Sequence, residues 1–323
     1  MIKDSWGRTI EYVRLSLTEA CNFCCPYCRP EEITPESQTN LVNVEEWLAI
    51  LNAFHLLGVR AVRLTGGEPL VYPHIMELLK RIKATAWFED ISMTTNGSFL
   101  AARAHELKAA GLDRLNISLD TVDPDMFDLR TGRKGYLGAV IKGIETAISL
   151  DFKEVKINTV LMDALTDSEV RTLLAYMEKW PVIWRFIEYM PFQGSIYKSP
   201  TFEEWREQLE RVSGGDLIPI GDATEGFGPA TYYALPNGRK VGFIFPLSHS
   251  YCDSCNRVRL TSDGKLRLCL LRDEEANIVE QVRNGIIGEA LATYIAGLLQ
   301  LRKEEHDGAD MDIPTRAMWR IGG

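Results

Sequence analysis

The stretch "VRLSLTEACNFCCPYC", residues 13–28, sets two patterns back to back. Its first six residues alternate: Val13, Leu15 and Leu17 are apolar, while Arg14, Ser16 and Thr18 are polar. That is the period of a β-strand with two unlike faces. The remainder holds four thiols within eight residues, Cys21, Cys24, Cys25 and Cys28. In parallel α/β folds, a loop that follows a strand lies at the end of the sheet where sites are built.

The alternating pattern recurs in "AVRLTGG" (61–67), "DISMTTNG" (90–97), "RLNISLD" (114–120), "EVKINTVL" (154–161) and "IWRFIEYM" (183–190). The connections are long enough for a helix each. "NVEEWLAILNAFHLLG" (43–58), for example, spaces its apolar residues helically and stops at Gly58. Strand–helix alternation predicts parallel strands with right-handed crossovers. Six such units, fewer than the usual eight, predict an α/β fold: a partial (β/α)6 TIM-like barrel whose C-terminal segment covers the open side.

Parallel strands covered on both faces read as continuous apolar runs. Here only one face is apolar. The other carries Arg14, Ser16, Thr18, Arg63, Thr65, Thr94, Asn96, Asn116, Ser118, Asp120, Lys156 and Asn158. With the apolar set under the helices, the polar set faces the lumen. A filled core would not tolerate so many unpartnered polar groups, so the lumen is expected to hold a large polar ligand.

After about residue 200 the pattern changes. "TYYALPNGRKVGFIF" (231–245) reads as a hairpin about Asn237-Gly238, and "RVRLTSDGKLRLCL" (257–270) as another about Asp263-Gly264. A helix around 285–303 and the tail "TRAMWRIGG" follow. The expected division is a barrel over 1–200 and a packed C-terminal segment over 201–323.

A net charge of −9 argues against general nucleic-acid binding. The N-terminus lacks the apolar core of a secretory signal, and no apolar run is long enough to cross a bilayer. If the family resemblance drawn below holds, the expected setting is a reducing cytoplasm. Seven cysteines fall in two tight groups, 21–28 and 252–269, unlike the dispersed cysteines of a small disulfide scaffold. They read as two metal sites.

The first group allows two C-x-x-C pairs, Cys21/Cys24 and Cys25/Cys28, or one C-x3-C-x2-C set of Cys21, Cys25 and Cys28. The pairs require the adjacent Cys24 and Cys25 to converge, which neighbouring side chains resist. The trio on a four-iron cubane leaves one iron open for chemistry. A zinc site or a thiol redox pair is the alternative. The second group, Cys252, Cys255 and Cys269, again supplies three thiolates. With His249 it also fits a closed Cys3His zinc site. Arg257 and Arg259 lie at i and i+2 on one strand face and suit phosphate oxygens rather than a structural zinc. With Arg14, Arg63, Lys156 and Arg185 they direct up to six cations at one cavity. Neutralisation by Glu68, Asp120 and Glu188 is the plain alternative; a nucleoside triphosphate accounts for the surplus.

The Cys21-x3-Cys25-x2-Cys28 spacing with Tyr27 before the last cysteine resembles the signature of the radical S-adenosylmethionine (SAM) enzymes. "GGEP" (66–69) resembles their SAM-binding segment. Together with "CDSCNRVRLTSDGKLRLCL" and the terminal "RIGG", nearly the whole chain is similar to the GTP 3′,8-cyclase family of molybdenum cofactor biosynthesis. The resemblance implies two 4Fe–4S clusters, held by Cys21, Cys25 and Cys28 and by Cys252, Cys255 and Cys269, with Cys24 outside both. It implies SAM contacts at Tyr27, Gly67, Ser118 and Met190. GTP contacts are implied at Arg14, Arg63, Thr94, Lys156, Arg257 and Arg259. Gly322 and Gly323 would form a tail reaching the site, where ordinary terminal disorder is the default. It further implies hydrogen abstraction from the ribose 3′ carbon, attack on guanine carbon 8, an external electron donor, and passage of the product to a separate pyranopterin monophosphate synthase. Monomer and homodimer both remain open. Two departures stand out: Cys24, and Arg29 where methionine is expected. Competing readings are a peptide-modifying radical SAM maturase and a non-catalytic iron–sulfur or zinc protein.

Overall fold

The computed structural model describes residues 1–28, 41–192, 197–220, 227–305 and 316–322. The six alternating segments form β1 (Tyr12–Ser16), β2 (Ala61–Thr65), β3 (Asp90–Thr95), β4 (Arg114–Ser118), β5 (Glu154–Leu161) and β6 (Ile183–Glu188). Each pairs parallel with the next, in chain order. The intervening helices are α1 (Val44–Leu56), α2 (Ile75–Thr85), α3 (Leu100–Ala109), α4 (Pro124–Thr131), α5 (Leu137–Ser149) and α6 (Asp167–Lys179). Local chemistry sets their ends. Asn43 and Glu46 close a capping box on α1, and Thr166 and Glu169 do the same for α6. The apolar strand faces, Leu15, Val62, Leu64, Met93, Leu115 and Ile157 among them, are fully buried under the helices.

The segment after residue 200 does more than lie over the opening. After α7 (Phe202–Ser213) come β7 (Ile218–Ile220), β8 (Thr231–Ala234) and β9 (Lys240–Ile244), and β9 joins β6 in parallel. Further on, β10 (Arg257–Leu260) joins β1 in parallel, followed by β11 (Lys265–Arg267) and β12 (Glu275–Asn277). Both expected hairpins are present: β8 with β9 across Ala234↔Lys240, and β10 with β11 across Leu260↔Leu266. The result is one twelve-stranded sheet, β12-β11-β10-β1-β2-β3-β4-β5-β6-β9-β8-β7. The partial barrel is thus extended at both edges of its gap. The chain ends with α8 (Ile278–Arg283) and α9 (Gly288–Leu299), the latter packed on α1. Among the described residues no helix is long and apolar enough to cross a membrane.

Strand register does the positioning. Arg259 of β10 stands beside Arg14 of β1, which stands beside Arg63 of β2. Three guanidinium side chains therefore form a row across three neighbouring strands.

Candidate active site

The polar strand faces line a cavity of about 230 Å³ that opens to solvent. Arg14, Arg63, Arg130, Arg185, Arg257 and Arg259 line it, against the carboxylates of Asp120 and Glu188. Neither of these carboxylates serves as a counterion to the arginine row. Asp120 accepts from the Tyr27 hydroxyl at 3.0 Å and from the Val160 amide at 2.8 Å. Glu188 accepts from the amides of Leu247 and Ser248. Glu68, the third carboxylate considered, accepts from Thr95 Oγ1, Asn96 N and Leu70 N, and burial pushes its pKa up to about 7. Among the described residues the hydrogen bonds of these three carboxylates go to amides and hydroxyls, and of the cavity arginines Asp120 feels Arg130.

Packing arginines together in a buried space carries an electrostatic cost. Burial, then the neighbouring Arg257, brings Arg259 down to about 10. Burial, then Arg259, lowers Arg14 well below its ordinary value. An anion with several negative oxygens relieves that repulsion. Two further polar atoms belong to lining residues: the Tyr12 hydroxyl and Thr94 Oγ1 are buried, and neither has a hydrogen-bond partner among the described residues. Buried polar groups are ordinarily satisfied, so a bound polar molecule fits this wall.

At the mouth, Cys21, Cys25 and Cys28 line the cavity and Cys24 does not. The Cys24 amide donates to Thr131 O at 2.8 Å, and Gly132 packs against the Cys24 backbone and Cβ. The trio, not the two pairs, is what the fold turns toward the lumen. Burial, then the adjoining Cys28 and Asp120, raises the Cys25 thiol well above its ordinary value. All seven cysteines are thiols. Among the described residues no three Cys, His, Asp or Glu side chains are gathered around one point. His249 is instead stacked on Phe202, ring centroids 4.5 Å apart. Each donor set is all sulfur, which suits iron–sulfur ligation.

Beside the trio, Gly66 and Gly67 bring backbone against backbone. A Cβ on Gly67 would collide with the carbonyls of Ala20 and Glu19, and Gly66 sits at φ +154°. The loop can therefore approach the cysteine turn only as glycine. Tyr27, Gly67, Ser118 and Met190 all line the same cavity.

Cys252, Cys255 and Cys269 lie behind this wall rather than on it. Arg257 lines the cavity and donates through Nη2 to Cys255 Sγ at 3.6 Å. Burial alone would raise the Cys255 thiol, but Arg257 and Arg302 bring it down to about 6. Cys269 packs with Ile321, Met190 and Met318 in a small apolar cluster.

The C-terminal tail enters here. Arg316 pairs with Asp263 and Glu275, each at 2.7 Å, and Trp319 and Ile321 are buried. Gly322 at φ +72° fits against Ser16 and Thr65, where a Cβ would collide with Thr65 Oγ1. Gly323 and Arg29 lie outside the described residues.

Of the expected substrate contacts, Arg14, Arg63, Thr94, Arg257 and Arg259 are on the cavity wall. Lys156 is not among the lining residues. Its Nζ pairs with Glu154 at 2.6 Å and sits over the Tyr232 ring. Burial and then Arg185 lower it to about 8. Sequence reasoning passed over Tyr12, which begins β1 and whose ring reads as core. Its place opposite Arg257 follows only from the β1–β10 pairing.

Residues 15–177 match the Radical SAM superfamily, and residues 182–308 match Molybdenum Cofactor Synthesis C. Streptococcus suis SuiB bound to S-adenosylmethionine superposes with a TM-score of 0.63 at 16% identity, over 97% of this chain and 77% of that one. Fold and site thus define an enzyme of the radical SAM class, whose members use a 4Fe–4S cluster and SAM. A GTP 3′,8-cyclase of Peptoclostridium acidaminophilum is 37% identical over 327 residues, covering 100% of this chain and 98% of its own. Another, from Marinobacter nauticus, is 40% identical over 313 residues, covering 94% and 93%. The chain belongs to the GTP 3′,8-cyclase family of molybdenum cofactor biosynthesis.

Proposed function

We propose that the lumen is the chamber in which this radical SAM GTP 3′,8-cyclase holds its substrate, and that its two cysteine sets would each hold a 4Fe–4S cluster. Cys21, Cys25 and Cys28 carry one cluster, and Cys252, Cys255 and Cys269 the other. The observation that carries the reading is the row Arg259–Arg14–Arg63, set by strand register and facing one cavity.

When bound, the first cluster and SAM supply the hydrogen-abstracting radical. The chain's own residues bind and orient. Tyr27, Gly67, Ser118 and Met190 receive SAM beside the cysteine trio. Arg14, Arg63, Arg257 and Arg259 take the triphosphate, Thr94 donates or accepts one further hydrogen bond, and Lys156 acts from beneath as a fixed charge. Gly322, seated against Ser16 and Thr65 at the ends of β1 and β2, brings the tail to the arginine row. In this division residues 1–200 supply the SAM side and 201–323 the second cluster. The product passes to a pyranopterin monophosphate synthase, and an external donor supplies electrons, in the cytoplasm.

The test is anaerobic. Reconstituted protein is given SAM, a strong reductant and GTP deuterated at the ribose 3′ carbon. Deuterium in the 5′-deoxyadenosine formed is the expected result. 5′-Deoxyadenosine without deuterium would overturn the assignment of the abstracted atom.

A further inference from the structure

A buried charge cluster behind the second cysteine set has no part in the reading so far. Asp4, Arg8 and Arg302 come from the two ends of the chain, with side chains 0%, 6% and 4% exposed. Asp4 Oδ2 accepts from Arg8 Nε at 2.7 Å and from Arg302 Nη1 at 3.2 Å. Its Oδ1 accepts from the amides of Trp6 and Arg8. Both guanidinium groups then reach the second cysteine loop. Arg8 Nη1 donates to Cys252 O at 3.0 Å, and Arg302 Nη1 donates to Cys255 O at 2.7 Å. The remaining Arg8 bonds, to the carbonyls of Lys303 and Glu304, tie in the strand of chain leaving α9.

This arrangement is costly for a purely structural brace. Buried charges carry a desolvation penalty, and hydrophobic residues brace as well without it. The cluster is also unbalanced: two cations against one carboxylate leave one net positive charge against the loop.

We propose that Arg8 and Arg302, oriented by Asp4, are positioning residues that hold the Cys252–Cys255 turn by its carbonyls and raise the reduction potential of the group bound there. A net positive charge in a low-dielectric surrounding favours the more negative, reduced state of a cluster. The inference rests on the second-cluster reading above. It makes the two chain ends part of the redox machinery, though neither touches substrate.

The test uses the full chain with Cys21, Cys25 and Cys28 changed to Ala, so that only the second set carries iron. Anaerobic redox titration is followed by electron paramagnetic resonance. Arg302→Met should lower the midpoint potential, Arg302→Lys should leave it near the parent value, and Asp4→Asn should raise it. Opposite signs for Arg302→Met and Asp4→Asn separate a charge effect from simple loosening, which moves both the same way. Should Arg302→Met fail to accumulate, Asp4→Asn alone decides. A potential equal to or below the parent's in Asp4→Asn overturns the inference. A parent that binds no iron removes the cluster reading itself, and the inference with it. A parent that binds iron with potentials unmoved by any variant overturns the inference alone.

Discussion

Arg259 Nη1 donates to the carbonyl of Gly322 at 2.7 Å, joining a cavity-lining strand to the last described residue of the chain. The bond crosses 63 positions of sequence. It fixes the tail at the point where β1 and β2 end, with Ser16 and Thr65 against the Gly322 backbone. Arg259 therefore serves both the cation row and the tail.

Gly322→Ala should displace that tail. The left-handed φ costs a non-glycine residue roughly 1–2 kcal/mol, and the new methyl would strike Thr65. The variant should bind SAM and retain iron like the parent, while kcat/KM for GTP falls on the order of 10-fold or more. Turnover at the parent rate, measured by product formation under anaerobic conditions, would remove the tail from the mechanism.

The Tyr12 hydroxyl is 1% exposed as a residue, lines the arginine cavity and has no described partner. Tyr12→Phe keeps the ring and deletes the oxygen. In the absence of nucleotide the variant should melt no lower than the parent, because an unsatisfied buried polar group is costly. GTP affinity should fall by roughly 10–100-fold, the worth of a hydrogen bond to a charged group. Calorimetric binding and thermal melts read the two effects separately. Equal GTP affinity would show that the hydroxyl meets something other than the nucleotide.

Strands, hairpins and the polar lumen were legible because each is encoded locally. Alternation places Arg14 and Arg63 on one face, and Asn237-Gly238 marks a turn without knowledge of the rest. That Cys21, Cys25 and Cys28 line the cavity while Cys24 does not agrees with the short-range argument that neighbouring Cys24 and Cys25 diverge. The row Arg259–Arg14–Arg63 was not legible as a row. It depends on β10 pairing with β1, two segments some 240 positions apart, and no local pattern sets that register. The Arg8–Cys252 and Arg302–Asp4 contacts are likewise long-range, as is the seat of Gly322. Lys156 is a different case. Glu154 stands two residues earlier on the same strand face, so the ion pair was present in the spacing.

Cys24 and Cys25 are neighbours with opposite surroundings, and substitution should separate them. Cys25→Ser removes a thiol that lines the cavity. It should lose the first cluster, halving the iron bound per chain. Cys24→Ser leaves the backbone contacts with Thr131 and Gly132 in place and should keep the full complement. Iron analysis and SAM-dependent change in the electron paramagnetic resonance signal are the measurements. Loss of iron in Cys24→Ser would restore the paired-cysteine arrangement.

Lys156 offers a pH test whose two readouts run in opposite directions. Its pKa falls from 10.5 to about 8 on folding, chiefly through burial and then Arg185. Below about 8 both folded and unfolded chains hold the proton, and the buried charge imposes its full cost. Between about 8 and 10.5 the unfolded chain binds more protons, so this residue makes stability rise with pH. The term is on the order of 1–3 kcal/mol across that window. Urea unfolding of the parent and of Lys156→Met should show a stability difference that moves toward the parent by that amount as pH rises. GTP affinity should move the other way in the parent alone, weakening as pH passes about 8, because a positive charge beside the cavity arginines Arg185 and Arg63 is lost. A parent and variant with parallel pH profiles in both measurements would place Lys156 outside the substrate field and leave it as the partner of Glu154 only.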